Sequence, residues 1–312
     1  MPSMEAVNCN RKLVDCAKSC HILMAEFHSR KERILVKWLW IAAIGVLTGC
    51  QQQSTSTLVD HGSYQLETQH QAPGADQRIR FLVMHYTAEN FHSSLKTLTD
   101  EHVSAHYLLP AHPSEQGGKP VAYQLVPEAL RAWHAGASNW RGRTNLNDTS
   151  IGIEIVNRGF TRNLLETDWQ PYTPEQIALL IQLSRDIVQR YALQPTDVVG
   201  HSDIAPQRKQ DPGPLFPWQQ LAQAGIGAWP DEREVERYLA GRDKHEPVAM
   251  ASLLEKLARY GYGVDPTWDA KQQRNLVAAF QMHFRPSDYR GEPDAESEAI
   301  IEALLSKYGA MR

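Results

Sequence analysis

The chain has 312 residues, 42% of them apolar and 22% charged, and its 32 Lys and Arg against 36 Asp and Glu give a net charge of −4. That length accommodates two domains, or one large domain with an appendage, in an ordinary globular composition. There is no basic field of the kind that nucleic acid requires, which argues against such a partner.

At the N-terminus, Arg30, Lys31, Arg33 and Lys37 precede "WLWIAAIGVLTGC" (38–50). A positive segment, a short apolar run and small residues form a secretory signal, and the run is too short to span a bilayer well. "LTGC" resembles a bacterial lipobox, in which the cysteine becomes lipid-modified and begins the mature chain; an uncleaved transmembrane anchor is the alternative. The lipobox reading assigns residues 1–49 to a signal region, Cys50 to lipidation, and the protein to a membrane surface through acyl chains. Gln51 after the cysteine, by resemblance to enterobacterial lipoproteins, favours the outer membrane, with the mature chain facing the periplasm. Residues 1–29 fit poorly, which points to an unusually long signal or to a start downstream, for instance at Met24. All four cysteines (Cys9, Cys16, Cys20, Cys50) lie in this region, so the mature chain is expected to have no disulfide and no thiol nucleophile.

Residues 50–63, largely polar and without periodicity, read as a lipidated tether. "RIRFLVMHYT" (78–87) carries a continuous apolar run, as in a strand buried on both faces. "SAHYLL" (104–109) and "VAYQLV" (121–126) read as short strands separated by a turn or loop at "PSEQGGKP". "SIGIEIV" (150–156) alternates, with Ile151, Ile153 and Ile155 on one face and Gly152, Glu154 and Val156 on the other. A helix is predicted over 174–192, opened by a capping box at Thr173 and Gln176 with Pro174 in its first turn. "TDVVGH" (196–201) reads as a buried strand delivering His201 to its end. In "GHSDIAPQRKQDPGPLFPW" (200–218), Pro206, Pro212, Pro214 and Pro217 predict a shaped loop, neither helix nor strand. Shorter helices are expected at 217–224 and 231–240, and three amphipathic ones at 249–260, 270–283 and 294–308. The fold class is therefore α/β (α+β): a central mixed sheet flanked by helices over 64–241, with a small three-helix domain at 248–312.

His85 closes one buried strand, His201 another, and Asp211 stands on the proline-rich loop. Imidazole and carboxylate are ordinary zinc ligands, and three protein ligands plus a water define a catalytic zinc site. Spacing alone also allows three solitary polar residues, each satisfied by hydrogen bonds. Glu154, inside an apolar strand, either faces solvent or sits in a site, where Gly152 leaves room that a ligand could fill. A carboxylate near a metal-activated water can act as general base. Lys209 is either an oxyanion stabiliser or a solvated loop lysine. His106 reads as a core imidazole, and His134 as a substrate contact or a structural group. His92, His102, His112, His245 and His283 have no evident chemical partner. Ser202 lacks the second glycine of a nucleophile elbow, and there is no P-loop, G-x-G-x-x-G or H-E-x-x-H.

Taken together, "VMHYTA" (83–88), "SAHYLL", "AWHAG" (132–136), "NDTSIGIEIVN" (147–157) and the proline-rich loop resemble the zinc-dependent N-acetylmuramoyl-L-alanine amidases of the Amidase_2 type. The resemblance implies one zinc ion per chain on His85, His201 and Asp211. It implies Glu154 as the catalytic carboxylate and Lys209 as the cation that steadies the transition state. Tyr86, Thr87, Trp133, His134 and Asn157 lie in motifs expected to line a substrate groove, and the C-terminal helices resemble a peptidoglycan-binding domain. The implied reaction is hydrolysis of the amide between N-acetylmuramic acid, or its anhydro form, and L-alanine of the stem peptide. The implied partners are peptidoglycan, muropeptides and the membrane. Two other readings stand beside it: a non-catalytic peptidoglycan receptor, and a metallopeptidase cutting within the stem peptide.

Overall fold

The structure is a computed structural model and describes residues 58–162 and 167–309. Cys50 and the signal region lie outside the described residues. No helix among the described residues is long and apolar enough to cross a membrane. The chain divides into two compact units at Ala75 and Asp76. The described part of the first contains an antiparallel hairpin of β1 (Leu58–Asp60) and β2 (Gln65–Glu67). Residues 58–60, expected to be tether, are thus paired as a strand.

The second unit is built on a five-stranded sheet. Its strands are β3 (Phe81–Tyr86), β4 (Tyr107–Leu109), β5 (Tyr123–Gln124), β6 (Ser150–Ile155) and β7 (Val198–Gly200), in the order β7-β3-β6-β4-β5. All neighbours are parallel except β4 and β5. Parallel strands need covering on both faces, which is why β3 reads as an unbroken apolar run. Leu82, Met84, Val198 and the three isoleucines of β6 point to one face. There they meet Ile177, Leu180 and Ile187 of α2 (Pro174–Tyr191). The Thr173 hydroxyl caps α2 by accepting from Gln176 N at 3.2 Å. The reciprocal half of the expected capping box is not made. Gln176 Nε2 instead donates to the carbonyls of Leu109 and Val156, pinning α2 onto the ends of β4 and β6.

The sheet's other face, with Phe81, Val83 and Val199, is covered differently. It joins Leu253 and Leu257 of α6 (Met250–Tyr260), Leu276 and Phe280 of α7 (Ala270–Phe284), and Ile301 and Leu304 of α8 (Ala295–Tyr308) in one core. The three predicted C-terminal helices are present, and they share their core with the sheet rather than enclosing a separate one. α1 (Phe91–Leu98) was not expected. Asn90 caps it, its side-chain oxygen accepting from Ser93 N at 3.1 Å. The loop after β7 also differs from expectation, because it opens with a single helical turn, α3 (His201–Ile204). Its prolines begin only at Pro206, and the Asp203 carboxylate caps the turn by accepting from Gly200 N at 2.7 Å. α4 (Trp218–Gln223) and α5 (Glu232–Leu239) complete the α-helices among the described residues.

Candidate active site

Strand register brings the candidate residues together. Glu154 lies beside His85 across β6 and β3, and Gly200 lies beside Met84, so His201 emerges level with His85. Three chemical groups thus stand at the carboxyl ends of adjacent parallel strands, where open α/β sheets bind ligands. Strand alternation decides the face. His85 has the parity of Phe81 and Val83, and Glu154 that of Gly152, so both lie on the side that the C-terminal helices cover.

His85, His201 and Asp211 are 1%, 3% and 6% exposed. His85 Nδ1 is 2.9 Å from His201 Nδ1, and each of these nitrogens is 3.0 Å from Asp211 Oδ2. Two imidazole lone pairs and a carboxylate oxygen aimed at one point are a zinc donor set. The partners of the outer nitrogens match the tautomers this needs, although Arg208 Nη2 also lies 3.3 Å from His201 Nε2. Assigned from the hydrogen-bond network, His85 Nε2–H donates to His134 Nδ1 at 3.0 Å, and His134 Nε2–H donates to Ser150 Oγ at 3.2 Å. Ser150 Oγ–H in turn donates to the Leu146 carbonyl at 2.6 Å. His201 Nε2–H donates to the Ala135 carbonyl at 3.2 Å. Both Nδ1 lone pairs are therefore free, as metal-ligating histidines require. A second group of suitable residues, His245, Asp288 and Asp294, has its carboxylates already paired with Arg290 and Arg285.

Electrostatics agree with this assignment. Burial, reinforced by His201, pulls the His85 pKa down to about 4, so the ring is neutral at pH 7. Burial pushes the Asp211 carboxyl up, but His201 and His85 outweigh it and hold the group well below the usual carboxylate range. Glu154 behaves in the opposite way. Burial and the Asp211 charge push it up to about 8, against the pull of Lys209. Its Oε2 is buried and has no hydrogen-bond partner among the described residues. Native proteins seldom leave a buried polar atom unmatched, and such an atom in a cleft fits a base that receives a substrate proton.

Glu154, Lys209, His201 and Asp211 line one cleft of about 590 Å³, together with Tyr86, Thr87, Trp133 and His134. Trp133 is at the rim, 47% exposed, and the Tyr86 ring packs over Gly159. His134 reaches the cleft, but both its nitrogens are spent on His85 and Ser150. Asn157 is set apart from the other candidates. It is buried outside this cleft, with Nδ2 donating to the Gln170 carbonyl at 3.1 Å and Oδ1 accepting from Gly159 N at 2.7 Å. It therefore shapes a loop. Gly152 also has a different use from the one expected. A Cβ there would lie 2.4 Å from the His134 ring, so the missing side chain makes room for an imidazole rather than for a ligand.

Several contributors were not legible beforehand. Arg208 bridges two loops, donating from Nη2 to the carbonyls of Ala135 and Ala137. Asn275, Ala278 and Met282 of α7 form one wall of the cleft. Ser150 carries no signal of its own in the sequence, although the strand glycine two residues later marks the close approach it supports.

Residues 75–214 match the Amidase_2 family, N-acetylmuramoyl-L-alanine amidase. Similarity extends well beyond that segment. The N-acetylmuramoyl-L-alanine amidase AmiD of Escherichia coli is 58% identical over 272 residues, 87% of this chain and 98% of AmiD. This chain belongs to the Amidase_2 family. A solved complex of E. coli AmiD with anhydro-N-acetylmuramic acid-L-Ala-D-gamma-Glu-L-Lys is 60% identical, covers 81% of this chain and 98% of that one, and gives a TM-score of 0.79. AmpDh3 from Pseudomonas aeruginosa, in complex with anhydromuramic pentapeptide, is 45% identical with a TM-score of 0.71 and covers 80% of this chain and 98% of its own.

Proposed function

We infer that this protein is a zinc hydrolase of peptidoglycan. It cleaves the amide that joins the lactyl group of N-acetylmuramic acid, or its anhydro form, to L-alanine of the stem peptide. The observation that carries the reading is the buried tripod of His85, His201 and Asp211, with the unpartnered Glu154 Oε2 lining the same cleft. Zinc held by those three ligands supplies Lewis acidity, lowering the pKa of water to about 7 and polarising the substrate carbonyl.

The chain's own groups do the rest. His134 and the Ala135 carbonyl keep the two histidines in the tautomer that binds metal. Glu154 accepts a proton at its carboxylate as water oxygen bonds to the lactyl carbonyl carbon. When the carbon–nitrogen bond breaks, Glu154 returns that proton to the departing amine of L-alanine. Lys209, on the cleft wall, offers positive charge to the oxyanion that forms between those events. Trp133 offers a flat apolar face at the rim, suited to a sugar ring or peptide. The products are a glycan free of peptide and a stem peptide that begins with L-alanine.

Residues 64–241 carry this chemistry, and the helical region 248–312 adds a wall to the cleft where glycan or peptide can lie. The N-terminal sequence supports a lipid anchor on Cys50 and an outer-membrane lipoprotein facing the periplasm. Fatty-acid labelling that disappears in Cys50→Ala is the expected outcome, and undiminished labelling removes the anchor. For the reaction, mass spectrometry of digested muropeptides is decisive. Released peptides starting with L-alanine are expected, with loss of activity on chelation and recovery with zinc. Products that leave L-alanine on the sugar indicate a peptidase, and no products at all indicate a receptor.

A further inference from the structure

The region beyond residue 248 touches the metal-binding segment through a buried polar cluster that the reaction itself does not use. At its centre is Asp203, 1% exposed, two residues after His201 in the α3 turn. Three donors converge on its carboxylate. Gly200 N reaches Oδ2 at 2.7 Å, Tyr262 Oη–H reaches Oδ1 at 2.7 Å, and His283 Nδ1 reaches Oδ2 at 2.7 Å. Gly200 immediately precedes the ligand, so the first of these bonds sets the direction in which the chain leaves β7 and His201 leaves the chain. The same turn reaches the third ligand, because Ser202 N donates to the Asp211 carbonyl at 2.8 Å.

His283 is an expensive choice for a merely space-filling position. Its ring is stacked between Trp218, at 3.8 Å, and Phe284, at 3.9 Å, where any flat apolar side chain would pack. Yet its Nε2 is buried with no hydrogen-bond partner among the described residues. A phenylalanine would avoid that cost, so the one polar interaction the imidazole makes among the described residues is its bond to Asp203. Tyr262 is likewise 3% exposed and directs its hydroxyl to the same carboxylate. Gly200 leaves little slack: a Cβ on it would lie 2.7 Å from Pro212.

We propose that His283 and Tyr262 are positioning residues for the zinc ligand His201, acting through the Asp203 carboxylate. The C-terminal helices then serve as part of the metal site's supporting frame, and not solely as a surface for the cell wall. The inference rests on the zinc reading above. Loss of a group bonded directly to a metal ligand typically weakens metal affinity by about 10–100-fold. His283 and Tyr262 act one bond further out, through Asp203 and Gly200 N, so an effect at the lower end of that range is expected.

The test uses the full chain. His283→Phe keeps the stacked ring, deletes the bond to Asp203 and removes the unpartnered nitrogen. Zinc dissociation constants are measured by competition with a chromogenic chelator, beside urea unfolding of the zinc-free protein. Zinc binding is expected to weaken about tenfold, with a urea midpoint no lower than that of the wild type. Activity is expected to fall at limiting zinc and to return at saturating zinc with an unchanged KM. His283→Asn, which can place a donor near the position of Nδ1, is expected to recover part of the affinity. Tyr262→Phe removes a single hydroxyl and decides the matter if His283→Phe fails to fold. Wild-type zinc affinity in a folded His283→Phe or Tyr262→Phe protein overturns the proposal while leaving the zinc reading intact. A wild-type chain that takes up no zinc overturns both.

Discussion

Replacing Glu154 with glutamine separates the stability of the zinc-free fold from its activity, and the two are expected to move in opposite directions. The carboxyl has an ordinary pKa of 4.5 and is pushed up to about 8, burial being the largest cause. Between those values the folded state holds a proton that the unfolded chain has released, so stability falls as pH rises through the window and levels off above 8. Each unit of displacement is about 1.4 kcal/mol, so by pH 7 the zinc-free fold gives up on the order of 3 kcal/mol on this group. The shifted groups of the tripod act lower on the scale. The pKa of His85 falls to about 4, so its own contribution rises with pH and is complete near its ordinary 6.5. Asp211, held low, finishes lower still. Glutamine has the same shape and no proton to lose. Urea unfolding of chelator-treated wild type and Glu154→Gln should therefore nearly agree at pH 4.5, with the variant increasingly more stable up to about pH 8. The same variant, loaded with zinc, is expected to lose about 10²-fold or more in kcat, the usual contribution of a general base. A stability difference that stays constant across that pH range refutes the burial argument. Wild-type turnover by folded, zinc-loaded Glu154→Gln refutes the assignment of the base.

Two further substitutions test other parts of the site. Gly152→Ala places a carbon 2.4 Å from the His134 ring and must displace it from His85 Nε2. A loss of about 1–3 kcal/mol from overpacking and at least tenfold weaker zinc binding are expected, by urea unfolding and chelator competition. Unchanged zinc affinity would show that His134 does not fix the His85 tautomer. Trp133→Ala removes a ring that is 47% exposed at the rim of the cleft. KM for muropeptide should rise several-fold with kcat and thermal midpoint nearly unchanged, and a lower kcat at equal KM would move Trp133 from binding into the chemistry.

Legibility in the sequence followed the range of the interaction involved. The apolar run of β3, the alternation of β6 and the helical periodicity of α2 are local patterns, and each appears close to its expected bounds. The tripod was legible as three residues able to bind metal, but what brings them together is strand order, which no short stretch encodes. α3 was missed because nearby prolines suggested no helix, whereas the Asp203 cap acts before they begin. Gly152 signalled close approach correctly and its occupant wrongly, since His134 comes from a loop eighteen residues earlier in sequence. His283 gave no signal because its partner, Asp203, is 80 residues distant.

One geometric fact links these features. Alternation along β3 sends Leu82 and Met84 toward α2 and sends Phe81, Val83 and His85 to the opposite face. A face that carries apolar side chains up to the last turn of a strand must be covered, and here α6, α7 and α8 cover it. The cover cannot stop short of the proposed metal ligands, because His85 is only two residues beyond Val83 on the same side. The α7 helix that packs Leu276 and Phe280 against the sheet core therefore also brings Ala278 and Met282 to the cleft wall, and His283 to Asp203. Burial of the sheet and construction of the site are accordingly one packing event, and removing the C-terminal helices would expose the sheet and unsupport the ligands together.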